Sequence, residues 1–416
     1  MRYNPFRPGG VVGPGMFAGR GRELERLEGI LFQASRGNPQ HFVLQGERGI
    51  GKSSLLLFLQ LVAAGQFQFT EGQSFKFLVV SVELDPSTTY FSIIQKIASE
   101  LKKTIAAEHR VKELAKKAWD FLSGWEIFGV KYQARKGCEE REPQLLLEEL
   151  TNTIEDLLVG IRPEFQGVVF LIDEADKPPA SANLGGFVKL FTERLSKRGC
   201  NNVVLGLAGL PEILAKLSAS HPSSTRVVEV FNLDPLDPPD RLKVVINGLK
   251  AAESDSGSPV IATEAAQDLI SSLSEGYPHF IQQFSYSAFA ADTDNIIDED
   301  DVLAGAFKPK EGAFVQLGQK YFEGLYFEKI WSDEYRKVLR AMAESFENWV
   351  DISTIRERTR LRETTLTNAL RALKGRRIII AKEGKRGIYR LPSRSFAVWI
   401  RAFTEAVPGS NGVKSS

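Results

Sequence analysis

The eight residues Gly46-Glu47-Arg48-Gly49-Ile50-Gly51-Lys52-Ser53 constrain this chain more than any other feature. They satisfy G-x-x-x-x-G-K-S in full, between the apolar run HFVLQ (41–45) and the apolar run SLLLFLQLVAA (54–64), which reads as a buried helix. A strand that ends in glycines and continues into a helix leaves backbone N–H groups at a helix mouth, where the helix dipole favours a phosphate. Lys52 supplies a mobile cation for the β- and γ-phosphates, and Ser53 supplies a hydroxyl ligand for Mg²⁺. The pattern predicts that residues 46–53, with Ser54 behind them, bind ATP and Mg²⁺.

A second motif belongs with the first. VVFLIDEAD (168–176) opens as a continuous apolar strand, the kind buried on both faces of a parallel sheet. Asp173 then falls at the carboxyl edge of that sheet, where it either holds Mg²⁺ or caps a helix. Glu174 either orients the attacking water or is a solvated carboxylate. Asp176 reads as structural. Two acidic residues at this place favour hydrolysis over storage of the nucleotide.

The surrounding pattern alternates. Helical spacing at 22–35, 89–109, 143–160 and 185–197 is interleaved with strand-like runs at 75–84, 202–209 and 226–233. This alternation predicts an α/β fold, a doubly wound parallel sheet over 16–237. From 238 to 331 the pattern turns helical, a small lid and connector broken at SGSP (256–259) and GYP (276–278). Residues 1–15 and 407–416 read as loose ends. WDFLSGWEIFGVKY (119–132), within an insertion at about 110–140, reads as an aromatic hairpin whose rings serve packing.

The region 332–406 forms a module of its own. DEYRKVLRAMAESFE (333–347), 353–359 and 362–374 read as three helices, and RIIIAKEGKRGIYRL (377–391) as two strands joined by a charged turn. Helix, helix, helix, hairpin is the plan of a winged helix. On its third helix Thr364, Thr367, Asn368 and Arg371 point outward with donors and acceptors suited to base edges or phosphates. Lys382, Lys385 and Arg386 crown the hairpin, where a wing meets phosphates. Glu363 opposes that use, and winged helices also serve as protein contacts. Here 17 Lys and Arg face 9 Asp and Glu, a surplus of eight; the whole chain is +1, so the remainder carries −7. A basic module on an acidic engine either meets duplex DNA or serves as a solubilising face.

Composition bounds the rest. An apolar fraction of 43% and a charged fraction of 25% are ordinary for a soluble protein, and 416 residues suggest two or three domains. No apolar run reaches the roughly 18 residues of a membrane helix. Cys138 and Cys200 lack partners at metal-ligand or disulfide-framework spacing, and the Pro/Gly-rich start has no signal core. These features predict a cytoplasmic protein without a membrane partner.

With these motifs placed, the chain resembles the origin-recognition-like branch of AAA+ ATPases and the STAND signalling ATPases. Phe17-Ala18-Gly19-Arg20-Gly21-Arg22-Glu23 is similar to their F-x-G-R-x-x-E box, which implies that Gly19 and Arg20 lie against adenine and ribose. LGLAGLPEIL (205–214) is similar to a strand-turn-helix whose polar sensor residue is here replaced by Ala208 and Gly209. Arg226 falls where the family places an arginine before its last strand. There it either serves a neighbouring subunit's site in a homo-oligomer or pairs with a local carboxylate. Gly276-Tyr277-Pro278 resembles the lid motif whose proline, here Pro278, packs near the base. The resemblance implies a slow ATPase whose nucleotide state sets a DNA-binding winged helix. Its alternative is a signalling switch whose winged helix meets a protein partner.

Overall fold

The computed structural model describes residues 2–107, 111–112, 116, 142–162, 164–345 and 349–404, and these divide into two compact units. Val11–Asp234 forms one, and Met1–Gly10 with Pro235–Ser416 forms the other.

The first unit is built on five strands, β1 His41–Gln45, β2 Phe77–Glu83, β3 Gly167–Asp173, β4 Val203–Gly209 and β5 Val228–Asn232. They lie in the order β2-β3-β4-β1-β5 and every pairing is parallel. Helix α1 Gly21–Ser35 precedes β1; parallel neighbours need crossovers, and the helices between strands provide them: α2 Lys52–Ala63, α3 Tyr90–Ala107, α4 Glu142–Ile161, α5 Leu184–Lys197 and α6 Ile213–Ser220. Six successive residues of β3, Gly167–Ile172, are buried, and all seven of β4 are, because helices cover both faces of the sheet. Each strand runs toward one carboxyl edge, where Gln45 pairs with Gly209 and Glu83 with Asp173. Gly206 in β4 is required by its neighbour: a Cβ there would lie 2.1 Å from the Phe42 ring of β1.

The second unit is helical with small sheets. Helices α7 Pro238–Ser256, α8 Glu264–Ser274, α9 Pro278–Ala291, α10 Glu299–Phe307 and α11 Ala313–Leu317 form its first part, and two π-helical turns span Gly318–Glu328. A short parallel pair, β6 Ile261–Ala262 and β7 Ile296–Ile297, interrupts the expected all-helical stretch. The winged-helix plan then follows as α12 Asp333–Ala343, β8 Val350–Asp351, α13 Ile352–Thr359, α14 Glu363–Gly375, β9 Ile380–Ala381 and β10 Ile388–Arg390. Its sheet runs β8-β10-β9 and is antiparallel; β8 is the strand that sequence spacing did not reveal.

Two findings correct the sequence reading. Residues 2–10 are not a loose end. Phe6 is 2% exposed and fits a slot opened by Gly248, where a Cβ would lie 2.2 Å from its ring. Arg2 pairs with Asp292 and sits 3.9 Å above the Phe289 ring, and Asn4 and Arg7 bond to Tyr286 and Gln282. Apolar burial and these polar links outweigh the freedom of a Pro/Gly-rich segment. Secondly, a further helix, α15, Arg394–Thr404, packs against the lid. Trp399 is 2% exposed and its ring lies 5.9 Å from Phe322, while Ser395 donates to Leu273 O. The aromatic segment 119–132, Cys138 and the tail 407–416 lie outside the described residues.

Candidate nucleotide-binding site

The loop between β1 and α2 takes the shape its glycines allow. Gly49 and Gly51 have φ of +81° and +96°, left-handed values at which a side chain is strained. Gly46 is needed for closeness: a Cβ there would meet Ile50 Cγ2 and Leu233 O, each at 2.9 Å. Its N–H donates to Gly209 O at 3.3 Å, tying the loop to the end of β4. Glu47 and Arg48 are exposed at the crown of the loop, whereas Ile50 is buried and anchors it.

Lys52 lies inside the loop. Its Nζ donates to Gly46 O at 2.7 Å and Glu47 O at 3.0 Å, so the cation is held by the loop's own carbonyls. Burial depresses its pKa from the ordinary lysine value, against the opposing pull of Asp176, Asp173, Glu174 and Glu47. The next residue reaches the second motif: Ser53 Oγ donates to Asp173 Oδ2 at 2.6 Å. Asp173 Oδ1 accepts from Glu174 N at 2.7 Å. Residues 120 apart in sequence therefore put a hydroxyl and a carboxylate together at the carboxyl edge of the sheet. Ser54 Oγ accepts from Val12 N at 3.4 Å.

Glu174 has a φ of +53° and its carboxylate pairs with Lys177 at 3.4 Å. Lys177 also lies 3.7 Å from Glu83. Any water-orienting role for Glu174 thus competes with a surface ion pair. Asp176 is 5% exposed, accepts from Leu210 N at 2.8 Å, and its backbone oxygen takes Lys216 Nζ. It fastens the end of β4, as its structural reading expected. Beyond Ala208 and Gly209 that end of β4 offers backbone only, with Ala208 O accepting from Ala175 N.

Gly19 and Arg20 lead into α1 with φ of +72° and +66°. The Arg20 guanidinium is 8% exposed and donates to Ile50 O at 3.2 Å, to Asp234 O at 2.6 Å and to Glu23 Oε1 at 3.3 Å. These partners give Arg20 a bracing role on the loop, which its sequence neighbours did not announce. Gln45, the last residue of β1, was likewise unmarked; its amide donates to Asn232 of β5. Arg226 lies on the short turn Ser224–Val227, exposed, and forms no ion pair among the described residues.

The remaining predicted residues belong to the second unit. Pro278 opens α9 at its first turn, after Gly276, whose φ is +85°. Thr364, Thr367, Asn368 and Arg371 are all exposed on α14, with Leu366, Leu370 and Leu373 buried behind them. Glu363 pairs with Arg356 at 3.2 Å, which offsets its charge. Lys382 stands 5.4 Å above the Trp349 ring, while Lys385 and Arg386 are exposed at the tip of the hairpin. Cys200 is buried, its thiol pushed up to about 11 by loss of water. No described helix is long and apolar enough to cross a membrane.

Comparison with known proteins agrees with this geometry. Residues 16–196 match the family described as AAA ATPase domain. An uncharacterized HTH-type transcriptional regulator of Methanocaldococcus jannaschii is 23% identical over 260 residues, 61% of this chain. The match spans 59% of that relative's length. Among solved structures, a Walker-type ATPase of Pyrococcus abyssi aligns with a TM-score of 0.52 at 17% identity, over 96% of this chain and 99% of its own. The Aeropyrum pernix ORC2 protein, solved in ADPNP–ADP complexes, aligns with a TM-score of 0.55 at 14% identity, over 93% and 95%. Residues 16–196 thus resemble an AAA ATPase domain, and the chain has the fold of these Walker-type and ORC2 proteins.

Proposed function

We propose that this chain binds and slowly hydrolyses ATP, and that its nucleotide state sets a winged helix that meets duplex DNA. The observation that carries the first half is the convergence of the Gly46–Ser53 loop, Lys52 and the Ser53–Asp173 pair at one sheet edge. Gly49 and Gly51 take left-handed backbone just before α2, and the free N–H groups of a helix's first turn are what receives a phosphate. Phosphate oxygens replace the carbonyls of Gly46 and Glu47 as partners of Lys52, restoring a full counter-charge to a half-buried cation.

Ser53 and Asp173 supply two hard oxygen donors within hydrogen-bond reach of each other, a set that suits Mg²⁺. Bound there, the ion would offset charge on the β- and γ-oxygens. Glu174 orients the attacking water once released from Lys177. Arg226, exposed and without an ion-pair partner among the described residues, is the candidate to serve a neighbouring copy's site in an assembly. Gly19 is assigned to the adenine and ribose side of the nucleotide.

The DNA half rests on four outward polar residues of α14, a basic wing tip and the surplus of eight positive charges in 332–406. The name of the M. jannaschii relative, a transcriptional regulator, supports the same reading. A second reading, a signalling switch whose winged helix meets a protein, draws on one observation: α15 is bonded to the lid beside Gly276-Tyr277-Pro278, through Ser395 and Leu273. Calorimetry of the full chain with ATP and Mg²⁺ is expected to give saturable binding, lost in Lys52→Ala. Undiminished binding by that variant would overturn the assignment of the site.

A further inference from the structure

Between the phosphate loop and the exit of the first unit the structure leaves almost no slack. Leu233 N donates to Gln45 O at 2.8 Å, immediately before the loop begins. The first loop glycine, Gly46, lies so close to Leu233 that no side chain fits between them. One residue further on, Asp234 O and the loop carbonyl of Ile50 accept from the same nitrogen, Nη2 of Arg20. The arginine is fixed by its own surroundings, since its backbone is left-handed at the residue just before α1, its fork is anchored by Glu23, and only 8% of its side chain is exposed. Asp234 is also the last residue of this unit, and Pro235 is the first of the next.

On the far side of that peptide bond the chain is gripped again. Leu236 N donates to Gly276 O at 2.8 Å, and Arg241 Nε donates to Leu236 O at 2.7 Å. Gly276 admits no side chain, since a Cβ would lie 2.4 Å from Leu236 O. The residue before it, Glu275, accepts the N–H of Arg394 at the start of α15. Each link is a hydrogen bond or a covalent bond, and all but one are inside a single compact unit; the exception is the Asp234–Pro235 peptide bond itself.

We propose that Arg20 is a positioning residue that couples occupancy of the phosphate loop to the Asp234–Pro235 exit, and through it to the lid and winged helix. The inference rests on nucleotide binding at the loop. A phosphate drawn to the loop amides shifts the peptide of Ile50, whose carbonyl Arg20 holds; the same guanidinium then moves Asp234. A planar fork with several donors can span two carbonyls and a carboxylate, which a single ammonium does not. Coupling of this kind is a difference in free energy between two states, so it shows as a response at the exit and not as the affinity of the loop.

The test is amide hydrogen exchange on the full chain, with and without saturating ATP and Mg²⁺. In the unaltered protein ATP is expected to slow exchange at least tenfold both in residues 46–54 and in 233–236. In Arg20→Gln, at ATP sufficient to protect the loop, the exit response falls below twofold. Arg20→Lys, which keeps the charge without the fork, gives the same loss and serves if the first variant does not fold. An exit response that persists in both variants overturns the proposal. So does a loop that no ATP concentration protects in either, because Arg20 would then be a ligand of the nucleotide itself. Protection of the loop without the exit in the unaltered chain sinks this coupling alone, whereas no protection of either sinks the nucleotide-site assignment beneath it.

Discussion

His41 shows how much one side chain in this sheet depends on its environment. It opens β1 and its Nδ1 accepts from Leu205 N at 3.1 Å, a bond only the neutral imidazole can accept in this way. Burial holds its pKa down at about 4. The unfolded chain takes up the proton near 6.5, the folded chain only near 4, so stability is complete above 6.5 and declines as the pH falls between them. The loss attributable to His41 is about 2 kcal/mol at pH 5. Urea unfolding at pH 7 and pH 5 is expected to show it in the unaltered chain and to lack it in His41→Asn, which keeps an acceptor and cannot titrate. Equal pH dependence in the two proteins would contradict the account. At this scale the sequence was legible where chemistry is local. Lys52, Ser53 and Asp173 could be assigned because a strand-loop-helix spacing and an apolar run ending in a carboxylate fix their places. Arg20 could be placed near the site but not given its job. Its partners are backbone oxygens 30 and 214 residues away, and a carbonyl leaves no trace in the residue type.

Among the elements, the strands of the first unit and the helices α1 to α5 followed from their apolar patterns, whereas the eight-residue α6 was marked only by a resemblance at 205–214. The short strands β6, β7 and β8, two residues each, carry no such period and went unseen. Helix α15 was missed for another reason. Its apolar residues Phe396, Trp399, Ile400 and Phe403 follow a hairpin that already completes a winged helix, so nothing local demanded another element. Its burial is what joins that module to the lid. The Trp399 ring stacks at 6.3 Å with Phe396 and packs edge-on at 5.8 Å against Tyr326, and Gly318 is bare because a Cβ there would lie 2.3 Å from its indole nitrogen. Trp399→Ala is expected to cost about 3–5 kcal/mol in denaturant unfolding of the second unit. A loss under about 1 kcal/mol would mean that α15 is dispensable.

For the whole molecule, charge is the property that travels furthest. The acidic remainder of the chain repels a polyanion and the basic module attracts one, so under the proposed function DNA would meet the basic module first. Lys382 and Arg390 are held over Trp349 at 5.4 and 5.1 Å, leaving Lys385 and Arg386 projecting beyond them. Reversing both projecting charges is expected to weaken duplex binding by the full chain and to lower its salt slope by about two, one for each phosphate no longer neutralised. Weakened binding with an unchanged slope would instead assign the wing to a protein surface.

The docked amino-terminal segment imposes an order on synthesis. Arg2 and its partner Asp292 are 290 residues apart, so at 5–20 residues per second the ribosome needs roughly 15–60 s to deliver the second after the first. Through that interval Phe6 has no slot to enter, because Gly248 and α9 do not yet exist, while the whole of Val11–Asp234 can already fold beside it. Residues 2–7 are thus made before the first unit, yet they seal the second unit only after the first is complete.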